Sequence, residues 1–329
     1  MREYRVLIIG FGNVGQAFFE LLNLKKHLLG INFIVTGIID RSRGLISNPS
    51  PGVISEAHTG KLLGKKVVLD QIPGFIEESN ADIVCEFTDL NIKDKGEPAF
   101  TYLSTALRSG KHVITTNKGP VAFHYDELME LSRKYNRLIR FKGTVMAGTP
   151  SFNILDLLPG TRVEYFMGIL NGTTNYILTR MYEGLTFDEA LREAQELGYA
   201  EADPSLDIDG VDPALKAVIL SRVIGWRHRF EDVEVQGIRD VDVKRHGDRV
   251  IKLIAHANAD RVYVKPIPLE RGGNILANVS RNLNALTLKL DTLGEITVVG
   301  PGGAGRMETA QAALTDLMYI VNHVNYLGR

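Results

Sequence analysis

Short apolar runs recur through the first part of the chain: YRVLII at 4–9, INFIVTGIID at 31–40, ADIVCEF at 81–87, HVITTN at 112–117 and RLIRF at 137–141. Between them, QAFFELLNL, AFTYLSTALRSG and VAFHYDELMELSRKY carry apolar residues at helical spacing, the last opened by Pro120. Short β-type runs alternating with helical stretches predict an α/β fold, a doubly wound parallel sheet. The pattern then changes. Strand-like EYFMGIL at 164–170, an NGTTN turn at 171–175, RVYVKPIPL at 261–269, NALTLKL at 284–290 and EITVVG at 295–300 surround two helices, which reads as an α+β domain. Near the end GPGGAG at 300–305 leads into the long helical stretch METAQAALTDLMYIVNHV, expected to return to the first sheet. The expected division is residues 1–142 with 300–329 in one domain and 143–299 in the other.

The two helices of the second half flank LGYAEADPSLDIDGVDPALK at 197–216, where Glu201, Asp203, Asp207, Asp209 and Asp212 precede a lone Lys216. Thr186 and Glu189 form a capping box ahead of a helix that ends at Gly198. Asp212-Pro213 has the form of an N-cap followed by Pro at the first helical position. The acids therefore read as a short loop pinned between helices, with Lys216 one turn beyond Asp212 on the same face. A calcium loop fails at both ends: Ser205 stands at the first ligand position, and Lys216 stands where a bidentate Glu should close the cage. A purely structural loop is the competing reading.

Composition narrows the chemistry. With 329 residues the chain suggests two domains, and 38 basic against 39 acidic side chains give a net charge of −1. No basic stripe exists for nucleic acid and no polybasic anchor for a membrane. No apolar run approaches the roughly 18 residues of a membrane span, and the N-terminal apolar stretch is too short for a signal peptide. Cys85 is the only cysteine. No intrachain disulfide is possible, so a small-molecule enzyme of a reducing compartment, the cytoplasm, is expected.

The candidate chemistry begins at GFGNVG, residues Gly10, Phe11, Gly12, Asn13, Val14 and Gly15, between a strand and a helix. In that context the first Gly permits the tight turn, the second admits a pyrophosphate, and the third lets helix and strand pack. This is a Rossmann-type fingerprint for NAD or NADP. Asp40 ends the next strand, where an acid meets the adenosine ribose, while Arg41 and Arg43 suit a 2′-phosphate. The TTNKGP segment, with Thr115, Asn117 and Lys118, falls at a strand carboxyl end, where such sheets bind ligands.

Taken together, GFGNVG, TTNKGP, GTVMAGTP, ILNGTTNYIL, the 197–216 stretch, LANVS and GPGGAG resemble the homoserine dehydrogenase family, in family order over essentially the whole chain. The resemblance implies NAD(P)-dependent interconversion of L-homoserine and L-aspartate 4-semialdehyde. It implies that Glu201 and Asp207 take the substrate ammonium, that Asp212 holds Lys216, and that Lys216 contacts the oxygen whose charge changes. It places Lys118 between nicotinamide and substrate, with the acid–base role on Lys118 or Lys216. Asn171, Gly172 and Thr173 resemble the substrate-side loop, and Gly303 and Gly305 the cofactor-side glycines. Main-chain carbonyls of Lys142, Val145, Ala147 and Thr149 would bind a monovalent cation such as sodium, the positive side chain of Lys142 being a departure. A homodimer built by strands of the second half is implied. So is a short form, with neither an aspartate kinase region nor a C-terminal regulatory extension, hence no threonine inhibition through one. Two other readings compete: an aldehyde-oxidising dehydrogenase, which needs a thiolate that only Cys85 could supply, and a nucleotide sensor with no use for Lys118, Glu201 and Lys216.

Overall fold

The structure, a computed structural model, describes residues 3–60, 64–243, 247–301 and 305–327, with the side chains of 326 and 327 left aside. The chain divides into two compact units, Met1–Thr144 with Arg306–Arg329, and Val145–Gly305.

In the first unit β1 (Glu3–Ile9), α1 (Asn13–Leu29), β2 (Asn32–Asp40), β3 (Gly44–Ser47), α2 (Val53–His58) and α3 (Ile72–Glu78) come first. Then follow β4 (Ile83–Glu86), α4 (Ala99–Arg108), β5 (His112–Thr115), α5 (Lys118–Tyr135) and β6 (Ile139–Arg140), and the C-terminal helix α10 (Arg306–Leu327) completes the unit. The sheet order is β3-β2-β1-β4-β5-β6. All pairs are parallel except β2 with β3. The edge strand β3 has no strong pattern in GLIS. It forms because Gly44 adopts φ 79° close to the Lys65 carbonyl, where a side chain would not fit. Helix α1 buries Ala17, Phe18, Leu21 and Leu22 at helical spacing and stops at Gly30 in the left-handed region. Phe18 and Leu22 join Leu314, Leu317 and Val321 of α10 and Val6, Ile8 and Ile83 of the strands in one core.

The second unit contains β7 (Val163–Ile169), α6 (Gly172–Tyr182), α7 (Phe187–Glu196), α8 (Ser205–Ile208) and α9 (Val211–Ile224), then β8 (Glu234–Val235), β9 (Val250–Ala257), β10 (Val262–Leu269), β11 (Asn284–Leu290) and β12 (Gly294–Gly300). Its sheet runs β12-β11-β7-β9-β10-β8 and is antiparallel except where β10 meets β8. The sequence pattern did not mark β9.

Three local expectations are corrected. The NGTTN segment is no turn but the start of α6, because the Asn171 carbonyl oxygen Oδ1 accepts the Thr174 amide at 2.9 Å and caps the helix. The acidic stretch is no continuous loop, since α8 forms inside it. Asp212 is no N-cap. Gly210, at φ 84°, precedes α9, which leaves Asp212 in the first turn, its carboxylate turned to Lys216 and Asn171. The capping box is present as expected: the Thr186 hydroxyl accepts the Glu189 amide at 3.3 Å and Glu189 accepts the Thr186 amide at 2.8 Å.

Candidate active site

The glycine-rich turn of the first unit has three glycines with three different surroundings. A Cβ on Gly10, at φ 88°, would lie 2.6 Å from the Phe87 carbonyl oxygen, and one on Gly15 would lie 2.2 Å from that of Gly10. A Cβ on Gly12 would meet no heavy atom within 4 Å. Asn13 and Val14 open α1, whose first turn has neither a side-chain cap nor an acidic residue. Uncapped amides and the positive end of the helix dipole face an approaching anion there, so the residues fit a dinucleotide pyrophosphate.

Asp40 at the end of β2 is tied into the same turn. Its Oδ2 accepts the Phe11 amide at 3.0 Å, and its Oδ1 accepts the Ser42 hydroxyl at 2.6 Å and the Arg43 amide at 3.1 Å. Burial pushes the carboxyl up, but the hydrogen bonds from Ser42 and Phe11 outweigh it and leave the group below its ordinary range. The Arg43 guanidinium donates to the Phe11 carbonyl at 3.3 Å and lies 3.4 Å from Asp40, while Arg41 is exposed.

At the end of β5 the buried Thr115 hydroxyl donates to Glu86 at 2.6 Å and accepts the Asn117 amide at 3.0 Å. Asn117 caps α5 by accepting the Gly119 amide at 3.0 Å, which makes Lys118, half-buried, the first residue of that helix. Sequence reasoning missed Glu86. The available signal was a charge inside the apolar run IVCEF. Gly305 immediately precedes α10, and Gly303 lies outside the described residues.

The second unit gathers Asn171, Asp207, Asp212 and Lys216 into one hydrogen-bonded group. The Asn171 amide donates to Asp207 at 2.6 Å and to Asp212 at 2.9 Å. Lys216 Nζ lies 2.7 Å from Asp212 and donates to the Leu170 carbonyl at 2.7 Å, with both charged side chains almost wholly buried. Burial and the neighbouring Asp212 charge push the Asp207 carboxyl above its ordinary range, against Asn171 and Lys216. Gly172 is the first residue of α6, and the Thr173 hydroxyl donates to the Tyr199 carbonyl at 2.7 Å. Glu201 is exposed and joins none of these bonds.

Of the four carbonyl positions expected to bind a cation, Lys142 belongs to the first unit and Val145, Ala147 and Thr149 to the second. Met146 and Ala147 are consecutive left-handed residues, φ 57° and 44°, and the Val145 carbonyl accepts the Ser151 hydroxyl at 3.2 Å. No cluster of His, Cys, Asp and Glu suited to a metal occurs among the described residues. Cys85 is buried in β4, where desolvation pushes its thiol up, so it supplies no thiolate for aldehyde oxidation. No helix among the described residues is long and apolar enough to cross a membrane.

A glycine-rich turn fit for a dinucleotide and a buried lysine–carboxylate group suit an NAD(P)-dependent oxidoreductase, and comparison with known proteins shows that class and its family. The family model described as the NAD binding domain of homoserine dehydrogenase matches residues 10–142, and that described as homoserine dehydrogenase matches residues 150–318. The chain is 41% identical to a homoserine dehydrogenase of Sulfurisphaera tokodaii over 96% of its own length and 98% of the relative's. It is 39% identical to an NAD(+)-dependent homoserine dehydrogenase of Pseudomonas canavaninivorans, covering 97% of each. A hyperthermophilic archaeal homoserine dehydrogenase solved in complex with NADPH superposes with a TM-score of 0.85 at 34% identity, covering 98% of both chains. The chain belongs to the homoserine dehydrogenase family. Its reaction is the NAD(P)-dependent interconversion of L-homoserine and L-aspartate 4-semialdehyde in the threonine and methionine branch of aspartate-derived amino-acid biosynthesis.

Proposed function

We propose that the two units divide this reaction: the first holds the nucleotide and moves a proton, and the second holds the amino acid. The bound nicotinamide supplies the hydride acceptor in the oxidative direction. The α1 amides and the open face of Gly12 would receive the pyrophosphate, and Asp40 the ribose, with Thr115, Asn117, Gly303 and Gly305 on the cofactor side. Arg41 and Arg43 would favour NADP through its 2′-phosphate.

Asp207 and Glu201 would accept the α-ammonium, with Asn171, Gly172 and Thr173 shaping the substrate side. The observation that carries the reading is the Lys216–Asp212 pair, held at 2.7 Å and braced by the Leu170 carbonyl. Of the three N–H donors on an ammonium, those two acceptors occupy two. One fixed donor remains for the substrate oxygen, which suits charge stabilisation more than proton shuttling. The hydroxyl proton then passes to the Lys118 amine as the C–H hydride leaves. Lys118→Ala should lower turnover about a hundredfold or more, the scale of general acid–base assistance, while the cofactor dissociation constant stays put. Turnover near wild type would remove Lys118 from the mechanism.

A monovalent cation on the carbonyls around 142–149 is compatible with the left-handed pair at 146 and 147, since main-chain ligation is indifferent to side chains. Activity and thermal midpoint compared in sodium and in tetramethylammonium salts test it. A homodimer is supported by the half-exposed face of the second sheet, where Tyr165, His256 and Tyr263 stack in a row beside Met167. Nδ1 of His256 is buried there with no hydrogen-bond partner. Light scattering on the purified protein decides it. A sole, buried cysteine accords with a cytoplasmic enzyme.

A further inference from the structure

The end of β4 carries a charge that none of the roles above uses. Glu86 is fully buried, at 0% exposure, and follows the apolar residues Ile83, Val84 and Cys85. Its Oε1 accepts the Thr88 amide at 2.7 Å and the Thr88 hydroxyl at 2.5 Å, and its Oε2 accepts the Thr115 hydroxyl at 2.6 Å. Burial pushes the carboxyl up against these bonds, and no cation is among the groups that oppose it. A dry carboxylate without a cation costs free energy that an apolar residue at this position would not incur. Its place in the fold has to be explained by what it orients.

The parallel register pairs Glu86 with Thr115, so the two side chains share one face of the sheet. The Glu86 carboxylate accepts at both of its oxygens here. It therefore claims the single proton of the Thr115 hydroxyl and turns that oxygen's lone pairs towards the Asn117 amide, 3.0 Å away. The other carboxylate oxygen gathers Thr88. The carbonyls of Thr88 and Asp89 in turn take the side-chain amide of Asn117 at 3.2 and 3.1 Å. With its amide protons so committed, Asn117 presents Oδ1 to the Gly119 amide and starts α5, and Lys118 is the residue between them. The backbone has no slack at this point: a Cβ on Gly119 would lie 2.8 Å from Gly96 Cα, and one on Gly96 would lie 2.5 Å from the Gly119 carbonyl carbon.

We propose that Glu86 is a positioning residue for the reaction: through Thr115 and Asn117 it fixes the first turn of α5 and with it the place of Lys118. The proposal rests on the reading that Lys118 moves the proton. Replacing Glu86 by Gln keeps the shape but aims an N–H at the Thr115 oxygen, which then faces two donors and loses the acceptor for its own proton.

The test is Glu86→Gln in the full-length enzyme, alone and combined with Lys118→Ala, read as kcat, KM for homoserine and for NADP, and the thermal midpoint. The expected result is a ten- to hundredfold loss of kcat, the scale of a misplaced reacting group, with both KM values within about threefold. In the Lys118→Ala background the same change should cost less than about twofold, because coupled residues do not add. Turnover near wild type in Glu86→Gln, or an equal loss in both backgrounds, overturns the proposal. Wild-type turnover in Lys118→Ala alone is a different result, which removes the reading of Lys118 and this proposal with it. If Glu86→Gln does not fold, Thr115 carries the test: Thr115→Ser, which keeps the hydroxyl, should turn over at least tenfold faster than Thr115→Val, and equal rates overturn the proposal.

Discussion

Gly12→Ala separates cofactor binding from folding. Gly12 has φ −79° just ahead of α1, an angle alanine adopts readily, and a Cβ there would have no heavy atom within 4 Å. Two effects on stability oppose each other: alanine narrows the unfolded ensemble by about 0.4–1 kcal/mol, and it is a poorer N-cap than glycine by a similar amount. The thermal midpoint should therefore stay within about 3 °C of wild type. The ligand meets a different situation, because the methyl fills the open face through which the pyrophosphate would approach the helix amides. Pushing the phosphates back by about 1 Å breaks one or two charge-assisted hydrogen bonds at roughly 1.5–3 kcal/mol each. A loss of about 3 kcal/mol weakens binding roughly a hundredfold. Nicotinamide fluorescence titration gives the dissociation constant, and thermal unfolding without nucleotide gives the stability. Gly15→Ala is the contrast, since its Cβ would sit 2.2 Å from the Gly10 carbonyl oxygen and should lower both together. A Gly12→Ala protein that binds NADPH within threefold of wild type would refute the placement of the phosphates.

Lys216→Met should cost about 3 kcal/mol of stability, because it leaves the Asp212 carboxylate buried without its cation; adding Asp212→Leu should restore the midpoint but not turnover, and an unmoved midpoint in the single variant contradicts the reasoning. Asp316, on α10, has its carboxyl pushed to about 6 by burial, against Arg140 and the Lys142 amide. The unfolded chain loses that proton first, so the contribution of Asp316 to stability is full below about 4 and lost as pH rises to about 6. Urea unfolding across that window should show Asp316→Asn gaining on wild type by on the order of 3 kcal/mol, and a pH-independent difference would refute it. Replacing Arg41 and Arg43 together by Ala should weaken NADP about ten- to a hundredfold more than NAD; equal losses in paired titrations would show that neither reads the 2′-phosphate.

Periodicity and glycine placement made the first sheet legible, because a parallel strand buried on both faces needs an uninterrupted apolar run and the turn after β1 needs its glycines. Where the sequence misled, a local signal competed with a tertiary one. Asn-Gly-Thr-Thr has the composition of a turn, yet Asn171 uses its carbonyl oxygen to cap α6 and its amide to bridge two carboxylates. Asp-Pro is a strong N-cap signal, but Gly210 in the left-handed region sets the helix start, and Asp212 pairs with Lys216 from inside the first turn. The burial of Lys216 against Asp212 ties it to folding, whatever else it does. The strand VIKLIAHA went unmarked because Lys252 interrupts it, and that lysine is buried, donating to Asn175 at 2.9 Å and to the Val279 carbonyl at 2.6 Å. Glu86 stood out only as a charge in an apolar run, because burial and hydrogen-bond geometry, unlike apolar spacing, leave no period in a sequence.

The crowding of acids between 203 and 212 is relieved by several different partners. Asp203 accepts the Ser205 amide at 3.1 Å, and Asp209 pairs outward with Arg239 at 2.5 Å. Asp212 is matched by Lys216, and the single amide of Asn171 spans Asp212 and Asp207. Asp207 sits beside another carboxylate in the buried group: burial and that charge raise it, against the Asn171 amide, the more distant Lys216 and the Thr173 hydroxyl, and on balance the rise wins. A site in that state gains from one more cation. The α-ammonium of homoserine is such a cation, and on the proposed reading its arrival would stabilise the ionised form of Asp207. A loop serving only structure would need none of this imbalance. Lys216 could then have paired evenly with both carboxylates, and the repulsion that remains at Asp207 would have no purpose.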